Sequence, residues 1–94
     1  MRIEEVLWIE PIVEKLWRKH HVETDEVEEV LAGRPKIRRV EEGYQPDEHL
    51  FLALGRTDAG RYLSVFFIHK SDDRALVVSA RDMSLAERKS YERK

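Results

Sequence analysis

The run Leu50-Phe51-Leu52-Ala53-Leu54 constrains this chain more than any other stretch. Five consecutive apolar residues are too few for an ordinary helix and do not alternate as a half-exposed strand would. They suit a strand at the centre of a sheet or one covered on both faces. Thr57-Asp58-Ala59-Gly60 follows as turn chemistry, with Gly60 free to take a positive φ. Residues 61–69 are rich in aromatic and β-branched side chains and read as a strand. Lys70-Ser71-Asp72-Asp73-Arg74 is a polar hairpin loop, and residues 75–80 give a further strand. Residues 36–41 alternate weakly around Ile37 and Val40, and residues 43–47 read as a loop.

Helices flank this block. Residues 3–8 are short and mixed, suited to an edge strand. Pro11 then fits the first position of a helix, and Ile12, Val13, Leu16 and Trp17 form one apolar stripe ending near His20-His21. Thr24 is a good N-cap for a second helix, with Asp25 and Glu26 in its first turn. Val27, Val30 and Leu31 give its buried face, and Gly33 and Pro35 stop it. Ser84-Leu85-Ala86-Glu87 is a capping box opening a terminal helix. The expected fold class is α+β: two N-terminal helices, an antiparallel meander of three to four strands, and a C-terminal helix. The helices pack on one face of the sheet, and residues 1–94 form a single domain.

Composition excludes several chemistries. The 94 residues contain no cysteine, so disulfides, thiolate nucleophiles, Cys-based zinc sites and iron–sulfur clusters all drop out. No apolar run approaches the ~20 residues of a membrane helix, and residues 1–5 do not open a signal peptide. A cytoplasmic location without membrane contact is expected. Asn and Cys are absent, Gln45 is the sole Gln, and 38% of residues are charged. That pattern fits a thermophilic source and a thermal midpoint above the mesophile band of about 45–65 °C. The net charge of −2 hides an imbalance. Residues 1–33 hold four basic and nine acidic side chains, whereas residues 56–94 hold nine and six. A polyanion would be drawn to the second region and repelled by the first.

No cofactor or metal is expected. His20 and His21 are adjacent and diverge by about 100° on a helix, and His49 and His69 sit on different strands. No Gly-rich phosphate loop and no G-x-S-x-G setting is present. What remains is a set of cations and imidazoles near element ends: Lys19 and His20, His49 and Arg56, Arg81, then Arg88 with Tyr91. Metal-free RNA cleavage needs such groups. A base takes the ribose 2′-OH proton, an acid protonates the leaving oxygen, and cations hold the phosphoryl charge.

Three stretches narrow this further. Trp8 is followed by Lys19-His20-His21-Val22; Leu54-Gly55-Arg56-Thr57-Asp58-Ala59-Gly60-Arg61 spans the turn; Ser79-Ala80-Arg81 precedes Glu87 and Tyr91. In this order they resemble the BrnT toxin family of type II toxin–antitoxin modules over nearly the whole chain. The resemblance implies a RelE-like fold and metal-independent endoribonuclease activity. It also implies a cognate antitoxin that blocks the toxin and alone contacts operator DNA. Residue by residue, it implies catalytic roles for Lys19, His20, Arg56 and Arg81, with Glu48 and His49 as reserve acid–base groups. It further implies substrate or partner contacts for Arg61 and Tyr91, and the basic terminal helix adds Arg88 as a contact residue. The chain departs from the family at Ile9, Ile12, Leu16 and His21. It also carries Leu50 where the family's E-x-R pair has Arg. An alternative is therefore a non-catalytic interaction protein with a degenerate site. The same residues also admit structural roles: Arg81 can pair with Glu87 or Asp82, and Glu87 already serves as the capping-box acid.

Overall fold

In the structure, a computed structural model describing residues 1–45 and 48–93, the apolar run lies within β3. The elements are β1 (Glu5–Leu7), α1 (Glu10–His20), α2 (Thr24–Ala32), β2 (Lys36–Gln45), β3 (Glu48–Arg56), β4 (Tyr62–His69), β5 (Arg74–Asp82) and α3 (Leu85–Glu92). They build one five-stranded sheet in the order β1-β5-β4-β3-β2. The β2–β5 part is the expected antiparallel meander. The expected edge strand is β1, which pairs parallel to β5 through Glu5–Arg74, Val6–Ala75 and Leu7–Leu76. The sheet therefore has five strands, the four of the meander and this edge strand.

Strand alternation sorts side chains onto two faces. Leu63, Val65 and Phe67 of β4 are fully buried against Leu16 of α1 and Val27, Val30 and Leu31 of α2. Ala53 of β3 and Ala75, Val77 and Ala80 of β5 complete this core. Gly55 lets α2 approach closely: a Cβ there would meet Val30 Cγ1 at 2.8 Å. The helices do not all share this face. Ser64, between Leu63 and Val65, points the other way, and its hydroxyl donates to Glu87 of α3 at 2.9 Å. So α3 lies across the sheet from α1 and α2. The apolar run is continuous because Ala53 faces α2 while Leu52 and Leu54, also buried, face the α3 side.

Three local expectations change. Thr24 is the first helical residue rather than the cap; Glu26 accepts a hydrogen bond from the Glu23 N–H at 3.0 Å and closes that helix start. Residues 43–45, read as loop, extend β2, while Pro46 and Asp47 lie outside the described residues. Trp17, assigned to the core stripe, is 53% exposed. The turn after β3 is as expected: Gly60 has φ +94°. His21 ends α1 in the left-handed region, its N–H bonded to the Trp17 carbonyl. Among the described residues, no helix is long and apolar enough to cross a membrane.

Candidate nucleic-acid interface

Because α3 is only eight residues long, it leaves part of its sheet face open. Strand register lays out that face in rows. One row runs Arg38, Leu52, Phe66, Ser79 across β2, β3, β4 and β5; the next runs Lys36, Leu54, Ser64, Arg81. A groove of about 300 Å³ opens here, lined by Arg38, Arg39, Val40, Leu52, Phe66 and Glu87.

Arg81 stands beside this groove and contacts two residues that line it, Glu87 and Phe66. Its two terminal nitrogens grip Glu87 at 2.6 and 2.8 Å, NH1 also donates to the Asp82 carbonyl at 3.2 Å, and the guanidinium carbon lies 5.3 Å from the Phe66 ring centre. Those bonds use three of the five N–H donors a guanidinium offers. Two remain unbonded among the described residues. Glu87 accepts from Arg81, from the Ser64 hydroxyl and from the Ser84 N–H at 2.8 Å. The Arg81 hydrogen bonds, together with those from Ser84 and Ser64, overcome burial and hold its carboxyl down at about 2. It is therefore an ionised anchor at neutral pH and not a proton donor. The structural pairing of Arg81 with Glu87 that the sequence admits is present, and so is the Ser84 cap, with Glu87 N–H donating to the Ser84 hydroxyl at 3.1 Å.

Arg38 and Arg39 differ: both are exposed, and neither has an ion pair or side-chain hydrogen bond among the described residues. Sequence reading passed over both. Their signal was the run Arg34-Pro35-Lys36-Ile37-Arg38-Arg39, where cations recur on a strand without acids between them.

The expected site residues fall into three groups. Arg56, Arg88 and Tyr91 gather around Tyr62, a residue the sequence did not single out. The Arg56 and Arg88 guanidiniums lie 4.8 and 3.9 Å from its ring centre, and Tyr91 meets it edge-on. The Lys36 ammonium reaches the Ser90 carbonyl at 3.3 Å and also the Arg93 carbonyl, tying α3 to β2. The second group is Lys19 and His20 at the end of α1, the same end of the sheet as Arg81 and Asp82. There Arg61 acts as a structural clamp. It bonds the His20 and His21 carbonyls at 3.0 and 2.8 Å, Glu26 at 3.1 Å and Asp82 at 2.7 Å. The hydrogen bond to Asp82, with that to Glu26, raises its pKa above the ordinary arginine value despite burial.

Glu48 and His49 form the third group and stand apart. They open β3, about 20 Å along the strand from the level of Arg81, at roughly 3.3 Å per residue. Adjacent strand positions also send their side chains to opposite faces. Glu48 pairs with Lys70 at 2.6 Å. The six residues with implied catalytic roles are thus not one cluster. Among the described residues, no group of three or more His, Cys, Asp or Glu is gathered as a metal site would require.

A family model described as "Ribonuclease toxin, BrnT, of type II toxin-antitoxin system" matches residues 8–87. The chain belongs to the BrnT ribonuclease-toxin family. Among solved structures it is similar to the Brucella abortus ribonuclease toxin BrnT, known at 1.1 Å resolution. The TM-score is 0.63 at 22% identity, covering 85% of this chain and 96% of that one. That likeness shows the α+β fold. No curated protein matches the chain significantly. The family match spans α1 to the first turn of α3 and so includes both rows of the open face. Most of α3, with Arg88 and Tyr91, lies beyond it.

Proposed function

We propose that this family member cleaves RNA without a metal ion on the α3 side of its sheet, and that a cognate antitoxin protein neutralises it. The observation that carries this reading is a groove lined by Arg38 and Arg39, which have no ion pair among the described residues, and by Glu87, whose bonds lock the adjacent Arg81 guanidinium in orientation. Phosphate charge grows in the transition state, and fixed guanidiniums meet it without reorganising. Arg suits this better than Lys because its planar fork matches two phosphate oxygens. Phe66 supplies an aromatic surface in the same groove, and single-stranded RNA binds by combining such surfaces with cations. His20 is assigned the proton transfer: it lies on the α1 side, but at the sheet end where Arg61 ties its carbonyl to Asp82, next to Arg81, whereas His49 and His69 sit at the other end. Operator DNA would be contacted by the antitoxin, because the α1 and α2 side of this chain is acidic.

A second reading, a toxin-like protein that binds without cutting, has its own observation: Leu50 stands where the family has Arg, and Glu87 is held ionised and cannot donate a proton. One assay separates the two. Purified protein is incubated with single-stranded RNA and with ribosome-bound message in EDTA. Cleavage that falls about 10²-fold or more in both Arg81→Ala and His20→Ala supports the enzyme. Arg81→Lys restores little. Absence of cleavage by the natural sequence, alongside tight antitoxin binding, establishes the non-catalytic reading instead.

A further inference from the structure

Two strips of α1 face different surroundings. Leu16 is fully buried and Ile12 packs beside it. Ile9, Val13 and Trp17 recur every four residues and so align on a second strip, about 12 Å long at 1.5 Å per residue. The two ends of this strip are exposed, Ile9 at 47% and Trp17 at 53%, and Val13 between them is half-buried. A shallow cavity of about 280 Å³ runs alongside, lined by Val13, Trp17, Val22, Glu23, Thr24 and Asp25. His21 packs edge-on against the Trp17 ring at 5.1 Å, leaving the rest of the indole open.

Acids border most of the strip, with Arg18 and Lys19 the cations at its Trp17 end. Glu23 and Asp25 border the cavity, while Glu10 and Glu14 stand three residues before Val13 and Trp17 on the same helix. None of these four carboxylates has an ion pair among the described residues. The three later acids of α2 do have partners: Glu26 holds Arg61, Glu28 accepts from the Trp8 indole at 2.8 Å, and Glu29 accepts from the Asp58 N–H at 3.0 Å.

We propose that this strip is a docking surface for a basic, amphipathic helix of a partner protein. The occupant's apolar side chains would cover Ile9, Val13 and Trp17, and its Lys or Arg side chains would meet Glu10, Glu14, Glu23 and Asp25. Charge decides between occupants. A second copy of this chain would bring one acidic rim against another, and a nucleic acid would bring phosphates against it; like charges placed together oppose both. An exposed Trp flanked by smaller apolar residues is the usual anchor of such an interface. The strip lies across the sheet from the groove lined by Arg38, Phe66 and Glu87, so its occupation leaves that groove accessible.

The test uses a synthetic helical peptide of Leu and Lys on opposite faces, with a Leu/Glu peptide as its counterpart. Binding is followed by calorimetry and tryptophan fluorescence. The Leu/Lys peptide binds at least tenfold tighter than the Leu/Glu peptide. Trp17→Ala weakens it at least tenfold, as does Glu14→Gln combined with Glu23→Gln and Asp25→Asn, with circular dichroism unchanged. Ile9→Ser, at the far end of the strip, weakens binding in the same direction. Equal affinity for both peptides, binding indifferent to Trp17→Ala, or a concentration-dependent dimer abolished by Trp17→Ala would each overturn the proposal.

Discussion

Neighbouring residues of β4 meet opposite fates. Leu63, Val65 and Phe67 are sealed beneath α1 and α2, while Phe66 and Ile68, one position away, stay partly open on the α3 side. The charges divide the same way. The acid-rich residues 1–33 fold into β1 and the two helices on the sealed side, and Arg38, Arg39 and Arg56, which have no ion pair among the described residues, belong to the meander. One face carries most of the apolar burial that holds the sheet together; the other adds Leu52 and Leu54 to it and otherwise spends its side chains on ion pairs, ring contacts and exposed cations. A net charge of −2 is thus the sum of two unlike surfaces, and a polyanion meets the second.

The largest effect expected on either side is in the sealed core. Leu16→Ala removes a fully buried side chain between α1 and β5 and should cost about 2–5 kcal/mol in denaturant unfolding. RNA affinity of the folded fraction should not change. An equal fall in affinity would mean the two faces are not separable.

On the α3 side, stability should depend on acid. Glu87 has its carboxyl lowered from 4.5 to about 2 by Arg81, Ser84 and Ser64, and its side chain is only 13% exposed. A lowered carboxyl pKa stabilises the folded state above the unfolded value and loses that contribution as pH falls toward the folded one. The loss should therefore run from about pH 4.5 down to about 2, amounting to up to about 3 kcal/mol. Glu87→Gln should flatten that part of the pH–stability curve. A mutant curve parallel to the parent's would remove Glu87 as its source.

Arg61 stitches the sealed side to the end of β5, and its loss leaves two carbonyls and two carboxylates short of a donor. Arg61→Ala should cost about 2 kcal/mol, and Arg61→Lys should recover little of it because one ammonium cannot span four acceptors. Retention of full stability by the lysine variant would reduce Arg61 to a plain counter-charge. The smallest effect lies in ionic strength. For a single-stranded RNA, Arg38→Ala and Arg39→Ala should each flatten the slope of log affinity against log salt by roughly 0.7, with no change in melting. An unchanged slope would exclude both from phosphate contact.

The local elements were legible where one short-range rule decided them. Pro11 near the start of α1, Gly33 at the end of α2, the positive φ of Gly60 and the Ser84–Glu87 box depend on backbone geometry within a few residues. Each appears in the structure as read. Trp17 was misread because helical spacing groups it with Leu16, whereas the covered arc of α1 is too narrow to include both. The candidate site was less legible than the fold. Lys19 with His20, and Arg56 with Arg88 and Tyr91, were named from their positions at element ends. That Glu48 lies far from them, and that Arg38 shares a groove with Glu87, depends on strand register.

By itself the sequence determined the α+β class, the meander, the helix ends and membership of a family, because periodicity, caps and motif order are properties of the chain read along its length. Only the tertiary structure decided that β1 closes the sheet in parallel, that α3 crosses to the other face, and that Arg81 is clamped while Arg38 has no ion pair among the described residues. Those outcomes depend on which residues distant in sequence become neighbours. Hydrophobic burial is non-directional and sets that a face is covered. Strand pairing and side-chain alternation then settle which cation meets an acid and which is left for a ligand.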